Sequence, residues 1–181
     1  MTTGLILELP ERSTVLARNR QRWTEVLSDP VWRDHPYRIE TNEFGQIVMT
    51  PPAGGPHCGR QENIQVELRQ RLGGRAIPEC PVSTAGGVKA VDVGWYSADR
   101  YARVRGQIAF ETAPEICVEV ISPSNTDDEM RRKRALYFDA GAKECWICDE
   151  SGRMSYYTGA SRREPSEQST LCPDFPNQIE D

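Results

Sequence analysis

Apolar residues recur every three or four positions in three segments of the chain, and this spacing predicts three amphipathic helices. The glycine pair Gly73-Gly74 follows the second segment, as is typical of a helix end. Residues 122–128 supply hydroxyl and acidic side chains that favour the start of the third. The predicted helices cover residues 15–27, 57–72 and 125–140.

Shorter runs, either alternating or almost wholly apolar, predict strands. A hairpin is predicted over residues 37–49, with its turn at residues 42–45. Residues 115–121 are β-branched and nearly continuous in apolar character, which is typical of a buried strand. Further strands are predicted over residues 76–83, 88–96, 144–149 and 153–158, with one more near 171–179.

The order of these elements is helix, hairpin, helix, strands, helix, strands. This order predicts an α/β protein of the mixed α+β kind, with a central mixed sheet flanked by helices. The 181 residues suffice for one domain with a sizeable core. We therefore expect a single domain over residues 1–181, with 1–15 and 160–181 as peripheral segments.

Composition places the chain among soluble globular proteins, since 38% of its residues are hydrophobic and 27% are charged. No apolar run approaches the roughly 18–20 residues that a membrane span requires. The first ten residues contain an acid within a short apolar stretch and lack a basic start, so they do not resemble a signal peptide. We expect a cytoplasmic location and no membrane partner.

The six cysteines fit a reducing compartment. Cys145 and Cys148 have CxxC spacing, but they lie in a predicted strand, where residues three apart face opposite sides. No second CxxC and no histidine pair lies nearby. Small buried thiols are the favoured interpretation, and zinc or redox chemistry is the alternative.

Two acids, Asp92 and Glu119, interrupt runs that otherwise look like core strands. A buried carboxylate is costly unless it is compensated. On neighbouring strands, the two could share a divalent cation, because Mg²⁺ and Mn²⁺ prefer oxygen ligands. Alternatively, each acid could face solvent or pair with an arginine.

Lys133 falls in the middle of the apolar face of the third predicted helix, between Met130 and Tyr137. Glu119 lies roughly 10 Å before its strand end, and Lys133 lies roughly 11 Å into the returning helix. The two residues therefore stand at similar height if the helix folds back on its strand. Two acids and a lysine suit metal-assisted hydrolysis, but a structural ion pair between Lys133 and Glu119 is also open.

The segments 87–97 and 113–126, followed by Lys133, Tyr137 and the run Glu144-Cys-Trp-Ile147, resemble the Uma family of restriction-endonuclease-like proteins. These belong to the PD-(D/E)XK class, and the similarity covers roughly residues 17–179. The resemblance implies a restriction-endonuclease-like fold and a Mg²⁺-dependent phosphodiesterase site. It assigns Asp92 and Glu119 as the two acids of the class.

The sequence departs from the class signature at two positions. Ile121 stands where the signature has its lysine, and the resemblance implies that the helical Lys133 substitutes for it. Val91 replaces the proline that precedes the aspartate in the signature, and proline is not a metal ligand. His57 and Gln61 lie one helical turn apart, where related nucleases carry an accessory residue. They could reach the site, or they could serve only as capping and hydrogen-bonding residues.

These observations favour a Mg²⁺- or Mn²⁺-dependent endonuclease acting on nucleic acid, with DNA as the expected substrate. Asp92 and Glu119 would bind the metal, Lys133 would position the nucleophile, and His57 and Gln61 would assist. A homodimer would suit the cleavage of two strands, by analogy. The alternative is a non-catalytic binding or regulatory module that kept the fold.

The net charge of −5 argues against a protein that coats nucleic acid without specificity. Substrate binding would then depend on a restricted basic surface. The candidates are Arg60, Arg100, Arg103, Arg105, Arg131 and Arg134.

Overall fold

A computed structural model describes residues 10–160 and 164–181. Its helices are α1 (Arg12–Ser28), α2 (Pro30–Arg33), α3 (Gly55–Leu72), α4 (Ala98–Val104) and α5 (Asp127–Asp139). Its strands are β1 (Arg38–Thr41), β2 (Ile47–Thr50), β3 (Arg75–Thr84), β4 (Gly87–Tyr96), β5 (Ile116–Val120), β6 (Glu144–Cys148) and β7 (Met154–Tyr157).

The central sheet has five strands in the order β3-β4-β5-β6-β7. Neighbouring strands of this sheet are antiparallel, except that β5 and β6 run parallel and are connected through α5. A separate antiparallel hairpin consists of β1 and β2. The sheet is therefore mixed, and the predicted fold class, a mixed α+β protein with a central sheet flanked by helices, is confirmed.

Two hydrophobic clusters cover the two faces of this sheet. The first packs Ile64 and Leu68 of α3 against Val118 of β5. The second packs Tyr137 of α5 against Cys117, the residue next to Val118. Because adjacent residues of β5 enter different clusters, the strand is buried on both faces, which explains its nearly continuous apolar character.

Cys145 and Cys148 of β6 also enter different clusters, Cys145 the second and Cys148 the first. The prediction that they face opposite sides of one strand is therefore confirmed. All six cysteines are free thiols in the structure.

Two short helices have no counterpart in the sequence prediction. In α2, Asp29 accepts a hydrogen bond from the Val31 N–H and Pro30 occupies the first turn. In α4, the Ser97 hydroxyl accepts from the Arg100 N–H. Helices of four and seven residues are too short to show a helical period, so only their capping residues mark them.

The strand predicted near residues 171–179 is wrong. In this part of the described chain, β-pairing is limited to an isolated bridge between Arg153 and Gln178. Phe175 and Ile179 instead join the first hydrophobic cluster, and the Phe175 ring lies 4.7 Å from that of Trp146. The apolar residues that suggested a strand are anchors of an irregular segment.

The β1–β2 hairpin docks across β4 through close backbone contacts. The Thr41 hydroxyl accepts from the Val88 N–H. Gly87 has a φ of +95°, and a Cβ at this position would overlap the carbonyls of Thr41 and Asn42. This docking brings the polar residues of β1 to the same side of β4 as Asp92.

Candidate active site

Three carboxylates lie in one row across three neighbouring strands. In β3 and β4, Pro78 pairs with Val93 and Cys80 pairs with Val91, so Glu79 lies opposite Asp92. In β4 and β5, Val93 pairs with Val118, so the next position along both strands places Glu119 on the other side of Asp92. All three line an open cavity of about 1030 Å³.

Glu79 reaches this cavity through an unusual backbone conformation. Its φ is +46°, and it is the one non-glycine residue with a positive φ among those that the structure describes. Its neighbours Pro78 and Cys80 keep their pairing with β4, so the distortion is confined to one residue. Burial is the main cause that raises the pKa of the Glu79 carboxyl.

Asp92 is almost completely buried and its carboxylate has three partners. Oδ1 lies 2.6 Å from Nη1 of Arg38, and Oδ2 lies 3.3 Å from Nε2 of His57. Oδ2 also accepts the backbone N–H of Val120 at 2.7 Å. Burial alone would raise the pKa of Asp92, but the His57 hydrogen bond and the Arg38 charge outweigh it and lower the pKa.

Glu119 is also buried and has two side-chain partners on α5. Lys133 donates to Oε2 at 3.0 Å, and the Tyr137 hydroxyl donates to Oε1 at 2.5 Å. Burial raises the pKa of Glu119 to about 7, the charge of Asp92 adds to the rise, and Lys133 opposes it. Burial thus brings the pKa of the Glu119 carboxyl close to neutral pH.

Lys133 points into the cavity, toward Glu119, as its position on the apolar stripe predicts. Its Nζ also lies 3.6 Å from Oε1 of Glu40 on β1. Burial alone would lower the pKa of Lys133, but the charges of Glu119 and Glu40 outweigh it and raise the pKa. The side chain is consequently an ammonium at neutral pH.

His57 and Gln61, on α3, both contact the same aspartate. The Gln61 amide donates to the Asp92 backbone carbonyl at 2.6 Å and to Oε1 of Glu79 at 3.3 Å. The hydrogen bond to Asp92 is the main cause that raises the pKa of His57. The helix N-cap is Gly54, and the contacts of His57 and Gln61 with Asp92 are hydrogen-bonding ones.

Sequence reasoning missed Arg38, Glu40 and Glu79. The signal for the first two is their spacing, because residues two apart in a strand share a face. Which face of the hairpin meets β4 depends on contacts between residues about 50 positions apart, such as Ala90 N–H to Glu40. Glu79 carried no signal, since its backbone distortion is not visible in the residue types.

The predicted basic surface does not form at this cavity. None of its six candidate arginines lines it among the described residues. Arg100 is held by the carbonyls of Ala113 and Gly141, and Arg131 pairs with Asp128 one helical turn away. Arg100 in particular supports the fold and is not available to a ligand.

The donor chemistry of the site fits Mg²⁺ or Mn²⁺. Asp92 and Glu119 offer hard oxygen donors on one wall of an open cavity, and Mg²⁺ is usually held by one or two carboxylates with waters completing its shell. Within residues 10–160 and 164–181, no group of three or more His, Cys, Asp or Glu side chains is placed to hold a metal.

The fold is of the nuclease-like kind. A crystal structure described as "a putative nuclease belonging to DUF820", from Anabaena variabilis ATCC 29413, is similar in fold, with a TM-score of 0.58 and 20% identity. The likeness covers 71% of this chain and 74% of that one. No curated protein matches the chain.

The family model of Uma2, described as "Putative restriction endonuclease", matches residues 23–180. The chain belongs to this family. The part of the chain that the structure describes contains no helix long and apolar enough to cross a bilayer.

Proposed function

We propose that this protein is a Mg²⁺-dependent endonuclease that hydrolyses phosphodiester bonds of nucleic acid, with DNA as the expected substrate. The observation that carries the proposal is the contact between Lys133 and Glu119, 3.0 Å, on the cavity wall that also holds Asp92. Family membership and the nuclease-like fold support it.

In this proposal Asp92 and Glu119 hold the cation, and Mn²⁺ can replace Mg²⁺. A bound divalent cation lowers the pKa of a coordinated water and offsets charge on the phosphate oxygens. Lys133, held as an ammonium, orients the attacking water and offsets developing negative charge. His57 and Gln61 fix the position of Asp92 from the side of α3.

A cleavage assay tests the proposal. Single- and double-stranded DNA and RNA are incubated with the protein and Mn²⁺, and the Asp92→Asn variant is compared with Asp174→Asn, whose carboxylate is exposed outside the cavity. We expect cleavage by the wild type and by Asp174→Asn, and none by Asp92→Asn. Cleavage that survives in Asp92→Asn would contradict the proposed site.

The homodimer expected from two-strand cleavage belongs to the same proposal. Light scattering of the protein with and without a duplex tests it. A monomer in both samples would argue against symmetric cutting of the two strands.

One observation favours a second candidate, a non-catalytic binding module. Arg38 lies 2.6 Å from Asp92 and neutralises it without a metal. Calorimetric titration with Mn²⁺ distinguishes the two functions, because the module requires no cation. Absence of Mn²⁺ binding together with absence of cleavage would favour the module.

A further inference from the structure

Arg38 contacts two carboxylates of the row, those of Asp92 and Glu79. Its Nη1 lies 2.6 Å from Oδ1 of Asp92, and its Nε lies 2.8 Å from Oε2 of Glu79. Its Nη2 donates to the carbonyl of Ala90. The guanidinium therefore joins two strands of the sheet from a third strand, β1.

The two oxygens of Asp92 differ in what surrounds them. Oδ2 is held by a backbone N–H, that of Val120, and by His57 on α3. Oδ1 is held by Arg38. A backbone N–H inside the sheet cannot move away, whereas the end of an arginine side chain can. Oδ1 is thus the oxygen of Asp92 that a cation can reach, once Arg38 has released it.

We propose that Arg38 is an internal counter-ion that occupies the cation position at Asp92 and competes with the divalent metal for Oδ1. The inference rests on the proposed function, because it concerns the metal of that site. It explains how Asp92 stays buried and charged without a metal, since the guanidinium supplies the missing positive charge. It also makes metal binding weaker than two buried carboxylates would otherwise give.

Glu79 provides the place to which Arg38 moves. The Glu79 side chain is 47% exposed and ends the row on the edge strand β3, so it can keep its ion pair while the guanidinium leaves Oδ1. Glu79 contacts Arg38 at the residue where the backbone of β3 is distorted. Glu79 thereby retains the arginine in the cavity after the cation has bound.

Calorimetric titration with Mn²⁺ tests the competition directly and needs no activity. Arg38→Gln should bind Mn²⁺ about tenfold or more tightly than the wild type, because a unit positive charge a few ångströms from the ion is removed. Arg38→Lys, which keeps the charge but loses the fork geometry, should lie closer to the wild type. Arg71→Gln serves as the matched control, since Arg71 pairs with Glu67 and Asp174 outside the cavity and its loss should not change the affinity.

The outcomes separate this inference from the proposed function. Binding by the wild type with equal or weaker binding by a folded Arg38→Gln variant overturns the inference alone. No Mn²⁺ binding by either protein overturns the proposed metal site as well. If Arg38→Gln does not fold, the Arg38→Lys variant tests the inference. A Mn²⁺ affinity of Arg38→Lys below that of the wild type contradicts the competition between Arg38 and the metal. Adding Asp92→Asn to the tighter variant should abolish the gain, which places it at Asp92.

Discussion

At the scale of single residues, the site is unevenly visible in the sequence. Asp92, Glu119 and Lys133 could be found because each breaks an apolar pattern, and burying a charge requires a reason. Tyr137 fits the apolar face of its helix, so its hydrogen bond to Glu119 could not be told from ordinary packing. Arg38 and Glu40 break no pattern, because a half-exposed hairpin is expected to carry charges.

The first prediction concerns Lys133. Lys133→Ala should reduce hydrolysis by about 100-fold or more, because the residue orients the water and offsets charge. The affinity for Mn²⁺ should not weaken, since lysine is not a ligand. Single-turnover cleavage and calorimetry measure the two effects, and Lys143→Ala, exposed and outside the cavity, is the control. Full activity of Lys133→Ala would show that its ion pair with Glu119 is only structural.

The second prediction concerns pH. The pKa of Glu119 is raised to about 7 by burial, so its proton competes with the metal below that pH. Mn²⁺ affinity should be highest above pH 7 and fall by up to about tenfold per unit below it. In the metal-free protein, the stability of the fold depends on pH in the opposite direction to the Mn²⁺ affinity. The contribution of Glu119 is fully present below its ordinary pKa and is lost as pH rises through about 7.

Calorimetry between about pH 5.5 and 8.5 measures the affinity. Asp92, whose pKa is lowered, should contribute no step in this range. Glu119→Gln should remove most of the affinity and the part of the pH dependence that Glu119 contributes, leaving the part that comes from His57, whose pKa is raised by its hydrogen bond to Asp92. An affinity that stays constant down to pH 5.5 would contradict the assignment of Glu119 as a ligand.

At the scale of elements, helices and strands with a clear apolar pattern were predictable, while the contacts between them were not. The strand β3 was recognised, yet its one irregular residue, Glu79, and the contact of Glu79 with Arg38 were not. The hairpin was recognised, yet its docking on β4 rests on bonds such as that between Thr41 and Val88. Local periodicity carries no information on such long-range contacts, and these contacts complete the site.

The third prediction concerns the backbone at Glu79. In an ordinary strand, glycine is less stable than alanine by about 0.5–1 kcal/mol. At a φ of +46° the order should reverse, because alanine pays about 1–2 kcal/mol in the left-handed region and glycine does not. Both variants lose the same carboxylate, so their difference isolates the backbone term.

Urea unfolding of Glu79→Gly and Glu79→Ala measures this difference. The same pair of substitutions at Ser155, in the regular strand β7, is the control and should show the ordinary order. If alanine is the more stable residue at both positions, the distortion at Glu79 is not a feature of the folded protein.

At the scale of the whole molecule, charge limits how the protein can hold a polyanion. The chain carries −5, and the Arg and Lys side chains that line the cavity in the described part of the chain, Arg33, Arg38 and Lys133, are already paired with carboxylates. Of the arginines that composition offered as a basic surface, Arg100 supports the fold through the carbonyls of Ala113 and Gly141. A sequence shows how many charges a protein has, but not which of them remain available after folding.

The last prediction follows from this balance and concerns the salt dependence of nucleic-acid binding. Each phosphate contact contributes a slope of about −0.9 to the logarithm of affinity against the logarithm of salt. With few free cations near the cavity, the slope should be shallow, at about three contacts or fewer per protomer. Binding should be weak without a divalent ion, because the carboxylates that line the cavity outnumber its Arg and Lys side chains. It should tighten with Ca²⁺, which supplies charge without the strict geometry of Mg²⁺.

Fluorescence anisotropy of labelled DNA and RNA, with Ca²⁺ and between about 50 and 200 mM salt, measures the slope. The Asp92→Asn variant should lose the Ca²⁺ effect, while Asp174→Asn should keep it. A steep slope that Asp92→Asn leaves unchanged would reveal a basic surface away from the cavity. Undetectable binding with Ca²⁺ at low salt would contradict a nucleic-acid substrate, and the cavity would then belong to a binding module in which Arg38 permanently replaces the metal.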